Sequence, residues 1–221
     1  MMKTKNEKIV KVLSHNNHQS LQQNYDQWAE EYDKDLQGKL GYKVPSMAAQ
    51  SFANVVPKNA RILDAESGTG IVGEVLSKLD YQDIEALDLS KGMLEQAKLK
   101  GVYRDFHHQM LGERLDFSSN TFNAIIAVGT FGKTHAPPHA LDELLRILVP
   151  HGYIVFTMSI SELEEVPSFK QKFEELEQQC TWQLIEQSKV YQGFNQLTTV
   201  HTHFCTFVYK KLIPAKPPAI T

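Results

Sequence analysis

The sequence predicts an α/β domain with a doubly wound, mostly parallel sheet, on three observations. Short apolar runs of strand character alternate with segments of helical periodicity from about residue 60 to residue 158. One of these runs, Ala124-Ile125-Ile126-Ala127-Val128, is continuous rather than alternating, as a strand covered on both faces must be. Finally, Arg61-Ile62-Leu63-Asp64 passes through Ala65-Glu66-Ser67 into Gly68-Thr69-Gly70, and Ile71-Val72-Gly73-Glu74-Val75-Leu76 then takes up a helical pattern. A strand that ends in an acid and turns on glycines into a helix lets a nucleotide-like ligand lie over the strand end, against backbone N–H groups.

Each element follows in order. Residues 1–20 are polar and expected to be helical or frayed. Residues 21–37 read as a helix, because Leu21, Tyr25, Trp28, Tyr32 and Leu36 recur at spacings of three and four; Gly38 and Gly41 interrupt it. A second helix is expected from Pro45 to about Val55, with Pro57 ending it. The core then predicts a strand at 60–65, a helix at 70–79, a strand at 83–88, a helix at 90–99 and a short strand at 102–109. The strand at 124–128 follows, then a helix at about 137–148 with Leu141, Leu144, Leu145 and Leu148 on one face. Pro150-His151-Gly152 turns the chain into a strand at 153–158. The tail breaks the rhythm: a charged helix at about 167–180 precedes strands at 181–191 and 199–210, read as an antiparallel pair added at the sheet edge. Residues 1–221 are therefore read as a single domain, with a helical cap at 1–57 and an α/β core at 58–221.

Bulk properties narrow the function. A chain of 221 residues with 42% apolar and 22% charged residues is ordinary for a globular protein with a substantial core. Net charge is −3, and the one basic cluster, Lys3, Lys5, Lys8 and Lys11, reads as a solvated start, so no nucleic-acid partner is expected. Cys180 and Cys205 make no metal or disulfide framework by spacing and read as reduced thiols. The polar start does not resemble a signal peptide, and no apolar run approaches the ~18 residues of a membrane helix. No membrane association is expected, and a cytoplasmic location is the default.

The candidate chemistry centres on the glycine turn. Gly68 and Gly70 leave no Cβ in a ligand's way and permit a positive φ. A glycine pair alone also occurs in plain β–α turns. Asp88 adds weight, because it ends the short apolar run Ile84-Glu85-Ala86-Leu87 on the order of 20 residues after the turn, where an acid can grip both ribose hydroxyls. Asp64 and Glu66 stand two apart at a strand end, so they are expected to point to one side and repel, raising one pKa. The pairs His107-His108 and His201/His203 lack a convincing third ligand, and no metal is expected. His135 and His139 follow the 124–128 strand; either can accept a proton near neutral pH, although exposed loop histidines are the plainer reading. No residue is singled out as a catalytic base.

The ordered set ILDxxxGTG, DLSxxML, FNAIIAVG and LDELLRILVPHGYIVFT resembles the class I S-adenosylmethionine-dependent methyltransferases over roughly residues 25–210. Within them it is most similar to the methyltransferase-like proteins of the Williams–Beuren syndrome region. That similarity rests on Tyr25-Asp26-x-Trp28-Ala29-x-x-Tyr32-Asp33, Leu40-Gly41-Tyr42, Gly92-Met93-Leu94-Glu95-Gln96-Ala97, Met110-Leu111-Gly112 and Gly152. The resemblance implies a Rossmann-like, seven-stranded, mostly parallel sheet with an antiparallel C-terminal hairpin and N-terminal lid helices. It implies S-adenosyl-L-methionine as cofactor and S-adenosyl-L-homocysteine as product.

The resemblance also assigns site residues. Gly68 and Gly70 would pass beneath the methionine part of the cofactor, and Asp64 would face its amino group. Asp88 would hold the ribose, with Leu89 and Met93 covering adenine. Leu111 and Gly112 stand where many relatives carry an acid or amide, so adenine recognition would fall to their backbone. Val128, with Gly129 and Thr130, would lie near the transferable methyl. Tyr25 and Tyr32 would close over the ligand as a lid, whereas Trp28 reads as core.

Glu66 replaces a common glycine or alanine, and is expected to obstruct the cofactor, to turn away from it, or to pair with its positive groups. His151 replaces a common glycine, and Asn123 a common acid. The reading is a methyltransferase acting on a small-molecule acceptor. The alternatives are a non-catalytic S-adenosylmethionine or S-adenosylhomocysteine binder, which Glu66 favours, and an NAD-dependent dehydrogenase, which shares the turn and the ribose acid. The sequence leaves the oligomeric state open.

Overall fold

The fold is described from a computed structural model, for residues 18–195 and 203–213. The expectations for residues 1–17 and for 199–202, His201 among them, lie outside the described residues.

The chain opens with helix α1 (His18–Asp33), which runs into a wide π-helical segment, Lys34–Leu40. Gly38 lies within that segment instead of breaking it, and the turn ends at Gly41, whose φ of 63° suits a residue without a Cβ. Helix α2 (Val44–Val55) begins with Pro45 in its first turn, where a missing N–H costs nothing. Then follow β1 (Ile62–Ala65), α3 (Ile71–Lys78), β2 (Ile84–Asp88), α4 (Lys91–Leu99), β3 (Asp105–His108) and β4 (Phe122–Ala127). After these come α5 (Ala140–Ile147), β5 (Leu148–Ser159), α6 (Ile160–Glu165), α7 (Pro167–Gln178), β6 (Trp182–Gln187), β7 (Tyr191–Gln192) and β8 (His203–Lys211).

The sheet runs β3-β2-β1-β4-β5-β8-β6, with β7 pairing beside β8. Its first five strands are parallel, and β8 is antiparallel to both β5 and β6. The tail forms the expected antiparallel pair at the sheet edge, with the last strand, β8, lying between β5 and β6. Burial explains this. β8 carries Cys205, Thr206, Phe207, Val208 and Tyr209 buried in succession, whereas β6 leaves Leu184 and Ile185 exposed, as an edge strand can. The strand expected at 102–109 shortens to four residues, and that at 181–191 divides into β6 and the two-residue β7. Helix α6 was not expected; Ser159 caps it by accepting from the Glu162 N–H.

Neighbouring residues on one strand feed opposite apolar layers. Leu63, Ile125, Ile154 and Phe156 face α5, α7 and an aromatic group that includes Phe169, Phe173 and Trp182. Ile62, Ala124, Ile126 and Val155 face α2, α3 and α4 through Phe52, Val72, Leu76 and Leu94. A small third cluster of Leu21, Trp28 and Leu36 packs with Tyr25, Tyr32, Tyr42 and Phe194. The strand order reverses between β1 and β4, which opens a crevice beyond their carboxyl ends.

Candidate functional site

The crevice is built from the ends of β1, β2 and β4. Ala65 ends β1, and the chain then takes left-handed conformations at Glu66 (φ 62°), Gly68 (φ 56°) and Gly70 (φ 86°) before entering α3. Nothing lies within 4 Å of where a Gly68 Cβ would stand, so the turn borders open space. Gly70 has a different reason to be glycine: its Cβ would stand 2.8 Å from the Tyr103 ring.

Asp88, at the end of β2, organises the turn. One of its oxygens accepts the Gly68 N–H at 2.7 Å and the other the Ser90 N–H at 2.8 Å. Burial nevertheless pushes its carboxyl up to about 6, the two amides only partly opposing. Burial also pushes Asp64 up to about 7, against a hydrogen bond from Tyr103. Asp64 is 1% exposed; Oδ2 accepts the Tyr103 hydroxyl at 2.6 Å, whereas Oδ1 is buried with no partner.

Glu66 is half-buried, and burial and the neighbouring Asp88 hold its carboxyl well above the usual range. It accepts a hydrogen bond from the Leu111 backbone. The acid that acts on Glu66 is therefore Asp88 rather than Asp64. The alternation argument fails here because β1 ends at Ala65 and the positive φ at Glu66 breaks the two-residue period.

The other expected residues separate into groups. Leu111 is buried and its backbone N–H is engaged by Glu66. Gly112 (φ 97°) packs against Pro137, and its carbonyl accepts from His139 Nε2 at 3.1 Å. The Leu89 carbonyl accepts from His108 Nε2 at 2.8 Å. Met93 is buried, and its N–H donates to the Ser90 hydroxyl that caps α4. Val128 packs partly against the apolar layer beneath α2, α3 and α4. Thr130 is fully buried, donating to the Ala65 carbonyl at 3.1 Å, while Gly129 is exposed.

Helix α1 roofs this end of the sheet. Asp26 accepts from the Ser90 hydroxyl at 2.5 Å and the Gly92 N–H at 2.9 Å. Asp33 accepts from the Thr69 hydroxyl of the glycine turn and pairs with Lys100 at 2.6 Å. The Tyr25 hydroxyl lies 2.9 Å from His135 Nε2, so His135 joins the roof to the loop after β4. Burial, then the charges of Asp88 and Glu66, raise the Tyr25 phenol far above its ordinary value, which keeps it neutral. Tyr32 is held up by burial and by Tyr25, Asp88 and Asp33. Trp28 is buried against Tyr32, with its indole N–H donating to Asp35.

Two participants were not singled out from sequence. Tyr42 stacks on Phe194 and reaches over the end of β4, its hydroxyl 3.5 Å from where a Gly129 Cβ would be. Tyr103 underlies the turn. Tyr42 stands in the Leu40-Gly41-Tyr42 run of the family resemblance but carried no site role there; Tyr103 has no sequence signal, because the fold brings it in from a distant segment. A third cluster, Glu85, Asp105 and His107, has metal-ligand chemistry. Glu85, however, already receives Arg61, Arg104 and His107, and two guanidinium charges oppose a cation there.

The donor set fits an S-adenosyl ligand on its own geometry. The crevice offers open space over a glycine turn, a strand-end carboxylate beside that turn and a buried, unpaired carboxylate oxygen. The misfit is Glu66, which occupies the Leu111 N–H.

Comparisons with known proteins point the same way. A family model described as a methyltransferase domain matches residues 63–156. The human methyltransferase-like protein 27 is 32% identical over 165 residues, which is 72% of this chain and 66% of that protein. The malonyl-[acyl-carrier protein] O-methyltransferase of Priestia megaterium is 28% identical over 145 residues, covering 64% of this chain and 52% of that one. The chain thus spans just under two thirds, or less, of the length of these relatives. Among solved structures, a SAM-dependent methyltransferase from Aquifex aeolicus superposes with a TM-score of 0.59 at 17% identity, over 86% of this chain and 98% of that one. The [4+2]-cyclase SpnF does so with a TM-score of 0.67 at 14% identity, over 89% and 97%. The cyclase shows that this fold hosts chemistry other than methyl transfer. The dehydrogenase alternative finds no support among these relatives. With the strand order, the matched domain and the human relative in agreement, this chain belongs to the class I S-adenosylmethionine-dependent methyltransferases.

Proposed function

We propose that the protein binds S-adenosyl-L-methionine in the crevice beyond β1, β2 and β4 and transfers its methyl group to a small-molecule acceptor. One combination carries this reading: open space over Gly68, Asp88 bound to the Gly68 N–H, and an Asp64 Oδ1 that is buried without a partner at the end of the neighbouring strand. In it, Asp88 holds the ribose hydroxyls, Gly68 and Gly70 let the amino-acid part pass close to the backbone, and Asp64 faces the ammonium. Leu89 and Met93 flank adenine, and the Leu111 N–H serves it once Glu66 turns aside. Val128 and the adjoining Gly129 border the methyl, with Tyr25, Tyr32 and Tyr42 excluding water.

The bound cofactor supplies an electrophilic sulfonium methyl. Asp64, Gly68, Gly70 and Asp88 would hold it as that methyl passes to an acceptor lone pair and the thioether leaves. A protonated acceptor also releases a proton. The protein's part is alignment and exclusion of water. A small acceptor is favoured by the short loops and the −3 net charge, which offers no basic groove.

Titration calorimetry with S-adenosylmethionine and, separately, S-adenosylhomocysteine tests the reading. Binding of either at one site per chain supports it; binding of neither by folded protein removes it. Glu66 specifically favours a second reading, a binder without catalysis. Methyl transfer to any small acceptor, followed by mass spectrometry, would eliminate that reading.

A further inference from the structure

Tyr103 lies outside every motif that identified the crevice, yet it is built into its floor. It is 9% exposed, in the segment between α4 and β3. Its hydroxyl donates to Asp64 Oδ2 at 2.6 Å and accepts the Gly73 N–H at 3.1 Å. The hydroxyl's orientation is therefore fixed, with one backbone donor and one carboxylate acceptor. Two glycines make room for the ring. A Cβ at Gly73 would stand 2.3 Å from Tyr103 Cζ and 2.4 Å from its oxygen, and one at Gly70 would stand 2.8 Å from Cε2. Gly73 sits inside α3, where glycine weakens a helix by roughly 1 kcal/mol relative to alanine, so its presence needs a local reason. The Tyr103 ring supplies that reason. On the other side of the carboxyl, Oδ1 is buried without a partner.

We propose that Tyr103 is a positioning residue for cofactor recognition: by holding Asp64 through Oδ2, it leaves Oδ1 to receive the cationic amino group of the ligand's amino-acid part. This rests on the cofactor reading above and extends it to a residue that never touches the ligand. The ionisable groups that face Asp64 are Tyr103, from before β3, and Asp88, at the end of β2; the Gly73 N–H also acts on it. The Tyr103 hydrogen bond favours the ionised carboxyl, burial and Asp88 the protonated one, and the balance stands at about 7. Removing the hydroxyl leaves burial less opposed, so Asp64 holds its proton to higher pH and serves an ammonium less well.

The test compares S-adenosylhomocysteine with 5′-methylthioadenosine, which keeps the adenosine and lacks the amino acid. Affinities are measured by calorimetry from about pH 6 to about pH 8. Asp88 and Glu66 affect both ligands, so the ratio of the two affinities isolates Asp64. In the unaltered protein the preference for S-adenosylhomocysteine should grow as pH rises through Asp64's titration. Tyr103→Phe should weaken S-adenosylhomocysteine about tenfold at neutral pH and move the rise upward, leaving 5′-methylthioadenosine within about twofold. Asp64→Asn should flatten the ratio against pH. Gly73→Ala, which pushes on the ring from the other side, should repeat the selective loss even if Tyr103→Phe does not fold.

Equal losses for both ligands in the Tyr103 and Gly73 variants, or an unchanged ratio, would overturn the positioning role while leaving the cofactor site standing. An unaltered protein that binds neither ligand would remove the cofactor reading and this inference with it.

Discussion

Glu66 combines two unfavourable features in one residue. Its φ of 62° is a left-handed conformation, which costs an L side chain roughly 1–2 kcal/mol. His151, at φ 63°, has the same backbone requirement. These are the two positions where the family resemblance expects a small residue or glycine, so both departures concern the backbone before they concern chemistry. Glu66→Gly should relieve the strain but restore chain entropy worth about 0.4–1 kcal/mol to the unfolded state. The difference is a net stabilisation of roughly 0.5–1 kcal/mol. A second contribution depends on pH. Burial and Asp88 hold the Glu66 carboxyl well above the usual carboxylate range in the folded protein. A raised acid is harmless below its unfolded pKa and increasingly destabilising as pH rises toward its folded one. The gain from glycine should therefore be larger at pH ~8 than at pH ~4.5, as urea denaturation at the two values would show. The same variant frees the Leu111 N–H and should tighten S-adenosylhomocysteine. Unchanged or weaker affinity by calorimetry would remove the idea that Glu66 obstructs the site.

At the scale of elements, α1 is a roof fastened at named points. Asp26 ties it to the start of α4, Asp33 to the glycine turn and Lys100, and Tyr25 to the loop after β4. Lys100 also pairs with Glu74 of α3 at 2.5 Å, so it joins α1, α3 and α4. Asp33→Ala removes a hydrogen bond and an ion-pair partner that is 35% exposed; with solvent screening the cost is roughly 1 kcal/mol. Amide exchange in α1 should then quicken by about fivefold while β4 and β5 stay protected. Uniformly faster exchange would mean that the roof and the sheet open as one unit. The sequence showed α1 as a helix, since Leu21 and Trp28 form a buried stripe that Leu36 continues into the π-helical segment. It did not show the fastening points, because Asp26 and Asp33 are ordinary polar-face residues until the fold brings Ser90 and Thr69 to them. The same distinction separates the strands from their order. Continuous apolar runs marked β1, β2, β4 and β5, whereas the insertion of β8 between β5 and β6 is settled by pairings between residues as distant as Tyr153 and Lys210. In the crevice, the acids and glycines stand out locally. Tyr103, 39 residues from Asp64, is an unremarked tyrosine in the sequence.

Across the whole molecule, buried carboxyls divide by location, and that division sets how stability responds to pH. Away from the crevice, burial opposes ionisation of Glu85, but hydrogen bonds from Arg61 and His107, with the charges of Arg61 and Arg104, outweigh it and hold the pKa low. Glu143 is held low by Arg146. Groups of this kind stabilise above their unfolded pKa and lose that contribution as pH falls through the folded one, so they protect the neutral side and fail in acid. The crevice carboxyls have the opposite sign. Burial raises Asp64 to about 7 and Asp88 to about 6. Their contribution is complete below the unfolded values and disappears as pH rises through the folded ones. The two trends cross between these limits, so the unliganded protein should be most stable near pH ~5 and should lose on the order of a few kcal/mol by pH ~8. A ligand ammonium placed against Asp64 favours the ionised carboxyl and cancels part of that loss. Scanning calorimetry from pH ~4 to pH ~8 should therefore show Tm falling above the optimum without ligand, and a flatter profile with S-adenosylhomocysteine. If 5′-methylthioadenosine, without an amino group, flattened the profile equally, the compensation would lie at the Asp88 end of the crevice rather than at Asp64. A Tm that climbed steadily to pH ~8 without ligand would show that the crevice carboxyls are solvated well enough to ionise at little cost.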